Sequence, residues 1–259
     1  MTRAIILAAG QGTRLRPLTD KLPKCLVPLL GKSLLERQTD VLRECGVVNI
    51  QVIGGYYIDE IRNRGYSCSI NENFATTNMV ATLFSALPYL QGHEDLIISY
   101  GDIIYQPENL KRVLECKDEI GLMIDMHWRR YWELRFPDPL SDAETLILDD
   151  KGYIQELGKK PQNFDEIQGQ YTGLIKIRGD RLATFVDFYQ QLDRKAAYDG
   201  KNFDNMFFTS FIQALINDGW KIKAVPVENG WLEVDSVEDL QIYENLAEKG
   251  ILENFCRLD

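Results

Sequence analysis

The sequence predicts an α/β fold: a mostly parallel sheet flanked by helices, with a β-rich insertion in its second half. Two observations carry this expectation. From residue 3 to residue 100, short apolar runs that end at glycines alternate with segments of helical period, the pattern of buried parallel strands joined by right-handed crossovers. Between residues 121 and 177 the pattern changes to strands and turns, and helices return after it.

The elements follow in order. Residues 3–8 (RAIILA) form a continuous apolar run that ends near Gly10. Ser33 with Glu36 makes a capping box, after which Leu34, Leu35, Val41, Leu42 and Cys45 share one helical face until Gly46 stops it. Residues 47–53 are a second strand, closed by Gly54-Gly55. A helix starts near residues 76–78 and carries Met79, Val80, Leu83, Phe84 and Leu87 inward. A third buried strand, 96–100, ends at Gly101-Asp102. In the middle, GLMIDM, ETLILDD and YTGLIKI read as strands, with a hairpin turn at 150–152. Helices are expected at 180–198 and 203–217, a strand at 221–227, and a last helix from Ser236, with Asp239 completing its cap, to Gly250.

Composition narrows the function. The chain has 259 residues, 45% apolar, enough for a core without covalent staples. A formal charge of −10 repels nucleic acid and anionic membrane, so neither is an expected partner. No apolar run approaches the ~20 residues of a membrane span, and the N-terminal stretch is too short and glycine-bounded for a secretory signal. Cys25, Cys45, Cys68, Cys116 and Cys256 form no C-x-x-C pair and suit free thiols in a reducing compartment, which predicts a cytoplasmic location. His93 and His127 are isolated, so a histidine-based triad is not expected.

Charge is unevenly spread. Arg3, Arg14, Arg16, Lys21, Lys24 and Lys32 face Asp20 alone in the first 32 residues. One basic segment beside glycines in an acidic chain points to a small anionic ligand. Gly10 and Gly12 follow directly on a strand, where open α/β sheets bind ligands, and let backbone N–H groups approach an anion. Thr13 adds a hydroxyl, and Arg14 and Lys24 add positive charge. Leu15 stands where a dinucleotide fingerprint needs glycine or alanine, and Leu26 where a Walker loop needs glycine, so the loop is neither.

The string from Leu7 to Lys24, L-A-A-G-x-G-T-R-L-x-P-L-T followed by P-K, resembles the signature of nucleotidylyltransferases that activate sugar 1-phosphates, phosphocholine and related phosphoesters. The likeness continues at Gly101-Asp102, Lys160-Pro161, Tyr171-Thr172-Gly173 and GWLEVDSVEDL at 230–240. It implies a Rossmann-like NTP-binding core and the reaction NTP + X-phosphate → NDP-X + pyrophosphate. By position, Leu7, Ala8, Ala9 and Gly10 border base and ribose, while Gly12, Thr13 and Arg14 hold the triphosphate. Arg14 and Lys24 are the expected catalytic residues, Lys24 bridging the reacting phosphates. Asp102 and Asp235 are the expected Mg²⁺ ligands, with Gly55 and Gly101 near the nucleotide. Lys160, Tyr171 and Gly173, with Lys24, are expected to face the acceptor. Where the family commonly shows E-K-P, this chain has Lys159-Lys160-Pro161.

ATTNMVATLF at 75–84, GGYY at 54–57 and EVDSVEDL resemble the cytidylyltransferases more closely, which implies CTP and puts Thr77 and Asn78 near ribose and base. Asn78 suits a pyrimidine edge and a helix cap equally. Trp128 and Trp132, beside Arg129 and Arg130, either face the acceptor pocket or pack the sheet. Aromatic faces suit a quaternary ammonium and paired arginines suit an anion. The expectation is therefore a Mg²⁺-dependent enzyme joining CTP to a small phospho- or phosphono-acceptor. A phosphate nucleophile, with a second pKa of about 6, needs no general base. The alternatives are a UTP- or dTTP-dependent sugar-1-phosphate enzyme and an inactive nucleotide-binding regulator. The whole chain, 1–259, is expected to form one nucleotidyltransferase domain. Within it, 1–120 form the NTP core, 121–235 hold the acceptor and the metal-binding Asp235, and 236–259 form a C-terminal helix. A homo-oligomer is compatible with the sequence.

Overall fold

The computed structural model describes residues 2–258. A seven-stranded sheet runs in the order Ile222–Val227, Ile120–Asp125, Gln170–Ile177, Asp95–Tyr100, Thr2–Ala8, Asn49–Gly54, Cys68–Ile70. Among the described residues, Gln170–Ile177 is the one strand that runs against its neighbours; the other pairings are parallel. Alternation along the central strand explains its continuous apolar text. Ala4, Ile6 and Ala8 enter the core on one face, while Ile5 and Leu7 enter the core on the other. Helices Leu34–Glu44, Pro107–Glu115, Trp128–Arg135 and Val237–Glu248 contribute to the first core. Met79–Phe84, Leu182–Gln191 and Phe208–Asn217 contribute to the second. Among the described residues no helix is long and apolar enough to cross a membrane.

Both capping serines act, but only the second makes a complete capping box. Ser33 Oγ accepts from the Glu36 N–H at 3.2 Å, and Ser236 and Asp239 bond reciprocally at the start of the last helix. Leu146–Leu148 and Ile154–Leu157 pair around the expected turn, where Gly152 takes a φ of 75°.

Several expectations need correction. The β-rich stretch 121–177 is woven into the main sheet, to which Ile120–Asp125 and Gln170–Ile177 belong, while Leu146–Leu148 and Ile154–Leu157 form a small antiparallel sheet of their own. Inside it, residues 128–135 are helical, with Trp128, Tyr131 and Trp132 buried at helical spacing; their β propensity masked that period in the sequence. The helix expected at 180–198 is shorter, Leu182–Gln191, because the backbone turns extended at Leu192. The one expected at 203–217 divides into a 3₁₀ turn, Phe203–Asn205, and the helix Phe208–Asn217. The sequence reading also missed the helix Pro107–Glu115 and the short ribbon that Ile103–Tyr105 makes with Trp231–Glu233. That ribbon positions the site.

Candidate active site

The site forms at the carboxyl ends of the two central parallel strands. Leu7 lies level with Tyr100, so the glycine loop and Gly101-Asp102 emerge side by side. Gly101 is required there: its N–H donates to the Leu7 carbonyl at 2.8 Å, and a methyl group on it would stand 2.6 Å from that oxygen. Gly12 takes φ 68°, ψ 53°, and a Cβ there would meet Lys24 Cβ at 2.9 Å. Thr19 Oγ1 donates to the Gly12 carbonyl at 2.7 Å and holds the turn closed.

The far end of the chain returns through the ribbon. Glu233 pairs with Ile103, and the Val234 N–H donates to the Asp102 carbonyl at 3.0 Å. Asp235 thus arrives beside Asp102. Lys24 Nζ lies between them, donating to Asp102 Oδ2 at 2.6 Å and also to Asp235 Oδ1, while Arg14 Nη2 lies 3.1 Å from Asp235 Oδ2. The four charged residues singled out in the sequence therefore meet.

A second layer fixes the carboxylates. Arg135, its side chain only 1% exposed, donates from Nη1 to Glu233 Oε2 at 2.7 Å and from Nε to Asp239 Oδ1 at 2.8 Å. Asp239 Oδ2 accepts from the backbone N–H groups of Asp235 and Ser236, at 2.8 and 3.0 Å. Tyr131 Oη accepts from the Glu233 N–H at 2.8 Å, and Tyr243 Oη donates to the Glu233 carbonyl at 2.8 Å. Sequence reasoning missed Arg135 and Glu233. Glu233 could have been found, since it stands two residues before Asp235, at the end of the strand that delivers it.

Electrostatics follow from this geometry. Burial acts to lower the Lys24 pKa, but the carboxylates of Asp102, Asp235 and Glu233 outweigh it and hold the ammonium above its ordinary value. Burial opposes ionisation of Asp235, yet Lys24, Arg14 and Arg135 together keep its carboxyl below the usual range. Burial pushes the Glu233 carboxyl up to about 7, against the pull of Arg135. Oxygens of Asp102, Glu233 and Asp235 all lie within 4.8 Å of one another, and Asp102 Oδ1 is buried without a hydrogen-bond partner. An all-oxygen carboxylate set with an orphaned ligand atom fits a hard divalent cation such as Mg²⁺.

Two cavities meet at this point. The first, about 300 Å³, is lined by Leu7, Ala8, Ala9, Gly10, Gly12, Thr13, Arg14 and Lys24, together with Thr77, Asn78, Gly101, Asp102 and Asp235. Asn78 also caps its helix, its Oδ1 accepting from the Met79 N–H at 2.8 Å. The second, about 210 Å³, shares Met79 and Asp235 with the first and includes Trp132, Tyr171 and Gly173. It also exposes Asp142 and Glu144, which sequence reasoning passed over.

Three expected residues are not brought in. Lys160 Nζ donates to the carbonyls of Leu140 and Ser141, the latter at 2.8 Å, and lines neither cavity. Trp128 is buried, its ring 5.9 Å from that of Trp132 and beside Phe164, so it packs rather than lines. Gly55 lies behind Phe74, whose side chain occupies the space a Cβ would need. Arg129 and Arg130 also turn away, to Glu133 and the Asn254 carbonyl.

A strand-borne glycine turn facing two convergent aspartates is the arrangement of a nucleotidyl-transferring enzyme. Residues 4–134 match the MobA-like NTP transferase domain, and the chain belongs to that family as a nucleotidyltransferase. It is 42% identical over 248 residues to the CTP:phosphoglutamine cytidylyltransferase of Campylobacter jejuni, covering 92% of this chain and 98% of that one. It is 29% identical over 251 residues to the bifunctional protein GlmU of Pseudomonas paraeruginosa, of which it spans about half, 48% of the length. Among solved structures, the CTP:phosphocholine cytidylyltransferase of Streptococcus pneumoniae superposes with a TM-score of 0.68 at 22% identity, over 95% of this chain and 99% of that one. The inositol-1-phosphate CTP transferase of T. maritima gives 0.71 at 19% identity, over 99% and 98%. These two likenesses support the fold.

Proposed function

We propose that this protein transfers the cytidylyl group of CTP to a small phosphorylated acceptor of the phosphoglutamine type and releases pyrophosphate. The observation that carries the reading is the meeting of Arg14 and Lys24 with Asp102 and Asp235 at the junction of two cavities. The similarity to the C. jejuni enzyme, which covers nearly all of both chains, supports the choice of CTP and acceptor class.

In this reading the nucleotide lies in the first cavity, with its phosphates against the N–H groups of the glycine turn. The acceptor enters the second cavity, its phosphate toward Asp235. An acceptor oxygen attacks the α-phosphorus as the bond to the β-phosphate oxygen breaks, so one P–O bond forms, one breaks, and pyrophosphate leaves. The obstacle is repulsion between two anions. Lys24, held protonated, and Arg14 offset it, and the rigid strand ends align the partners. Asp102, Asp235 and Glu233 would hold Mg²⁺, which supplies further neutralisation of phosphate charge. Along the chain, residues 2–120 supply most of the nucleotide cavity and 121–235 most of the acceptor cavity together with Asp235, while the C-terminal helix expected over 236–259 is shorter, Val237–Glu248.

Pyrophosphate release, measured for CTP, UTP, dTTP, ATP and GTP against phosphoglutamine, phosphocholine and hexose 1-phosphates, tests the reading. Turnover with CTP and phosphoglutamine is expected. Turnover confined to UTP or dTTP with a hexose 1-phosphate would reject the cytidylyl assignment, and Mg-CTP binding without any product would reject catalysis.

A further inference from the structure

We infer that the second cavity selects an acceptor bearing a positively charged nitrogen at the end remote from its phosphate, with Glu144 as the counter-ion. The inference rests on the cytidylyl-transfer reading and specifies its substrate. Asp142, Glu144, Glu233 and Asp235 line the cavity, and among the described residues no lysine or arginine does. Two of the four are already matched, Glu233 by Arg135 and Asp235 by Lys24 and Arg14. A third, Asp142, accepts from Trp132 Nε1 at 3.0 Å.

Glu144 is different. No hydrogen bond or ion pair reaches its carboxylate among the described residues, and burial, with Asp142 and Asp199 nearby, pushes it up to about 7. Its backbone is nonetheless fixed: the N–H donates to Gln170 Oε1 at 3.1 Å, and Gln170 Nε2 donates to its carbonyl. A half-buried carboxylate held in place without a cation is costly unless a ligand supplies the charge. The free Glu144 carboxylate can accept hydrogen bonds from an ammonium group. Trp132 and Trp231 also line the cavity and add apolar surface to its wall.

An anionic or neutral tail would instead meet uncompensated carboxylates. The cavity therefore favours amino- or ammonium-bearing phosphates over sugar and polyol phosphates; in a glutamine skeleton the α-amino group meets the requirement, and its α-carboxylate must then point away from these four acids.

The test compares phosphoglutamine with its desamino counterpart, in which hydrogen replaces the amine, using CTP, pyrophosphate release and the whole protein. O-phosphoethanolamine against propyl phosphate gives a second pair. In the wild type, loss of the amine should raise KM by about tenfold to a hundredfold with a smaller change in kcat, the range of a charge-assisted hydrogen bond. In Glu144→Gln the ratio of the two KM values should fall toward one, and Glu144→Asp should restore part of it. Equal KM values in the wild type would overturn the inference without touching the cytidylyl reading, as would an unchanged ratio in Glu144→Gln. The wild-type comparison stands even if a variant fails to fold. Absence of turnover with every acceptor would overturn the cytidylyl reading and this inference together.

Discussion

Arg135 is the group whose removal should disturb both stability and catalysis most, although it lines neither cavity. Its guanidinium is 1% exposed and bonds Glu233 and Asp239, whose side chains are 25% and 6% exposed. Arg135→Met keeps much of the apolar stem and deletes the charge, leaving two carboxylates facing a dry gap. Breaking one partner out of a buried ionic group typically costs about 3–5 kcal/mol. Asp239 keeps its two backbone donors and Glu233 has some access to water, which places the expected loss near the lower bound, about 3 kcal/mol. Urea unfolding should show this as a lower midpoint with an unchanged slope. Because the same contacts fix Glu233 and Asp235, kcat should fall by about a hundredfold, the scale of a 1 Å misplacement at a reacting centre. Arg135→Lys should recover part of the stability but little of the rate, since an ammonium cannot span both carboxylates with a planar fork. A stability loss under about 1 kcal/mol, or a normal rate in folded Arg135→Met, would refute the claim that this residue holds the carboxylates in register.

Other outcomes follow from the same geometry. Asp102→Asn should lower kcat by about 10²–10³-fold while leaving the melting temperature nearly unchanged, because Lys24 keeps Asp235 as a partner; calorimetry and pyrophosphate release read the two effects separately. Gly12→Ala should cost about 1–2 kcal/mol and raise the KM for CTP, since it forces a side chain into a left-handed turn and against Lys24 Cβ; thermal melts and CTP titrations check it. Glu144, at about 7 against an ordinary 4.5, binds its proton more tightly folded than unfolded. Glu144 should therefore contribute a loss of stability of about 2 kcal/mol, after discounting for partial exposure, as pH rises from about 4.5 to 7, and Glu144→Gln should remove that share while keeping the share of Glu233, which is shifted the same way. The KM for an amino-bearing acceptor should rise as pH drops below about 7, because the neutral carboxyl no longer attracts the cation.

What could be read from the sequence was what depends on local geometry. Strands at 3–8 and 96–100 announce themselves because both faces of each are buried, and a glycine after such a strand can only sit at the sheet's ligand-binding edge. Arg14 and Asp102 stand out for that reason and Lys24 through the charge of the same segment, whereas the roles of all four, and Asp235 altogether, come from the resemblance to the nucleotidylyltransferases. Arg135 was not found, although Trp128, Tyr131, Trp132 and Arg135 stand at i, i+3, i+4 and i+7, because the aromatic residues favour strands as strongly as the spacing favours a helix. Glu144 gave no local signal at all. Its significance comes from long-range neighbours, Gln170 and Asp199, that only the folded chain assembles. Lys160 shows the reverse failure: a position read by analogy acts here as a tie between two backbone carbonyls.

The way the site closes also explains why two distant segments must act together. The loops at 9–24 and 101–102 leave the ends of two paired parallel strands of the central sheet, whereas Asp235 depends on a three-residue ribbon and the capping box that follows it. The Asp239 carboxylate serves both, its Oδ2 accepting from the Asp235 and Ser236 N–H groups and its Oδ1 from Arg135 Nε. The last helix, the buried arginine and the third carboxylate of the cluster therefore form one mechanical unit, and that unit separates the two cavities at Asp235. A change anywhere in it should be felt on both sides, as altered nucleotide affinity and altered acceptor affinity together. A change at Glu144, which lies on the acceptor side alone, should alter acceptor affinity with little effect on CTP.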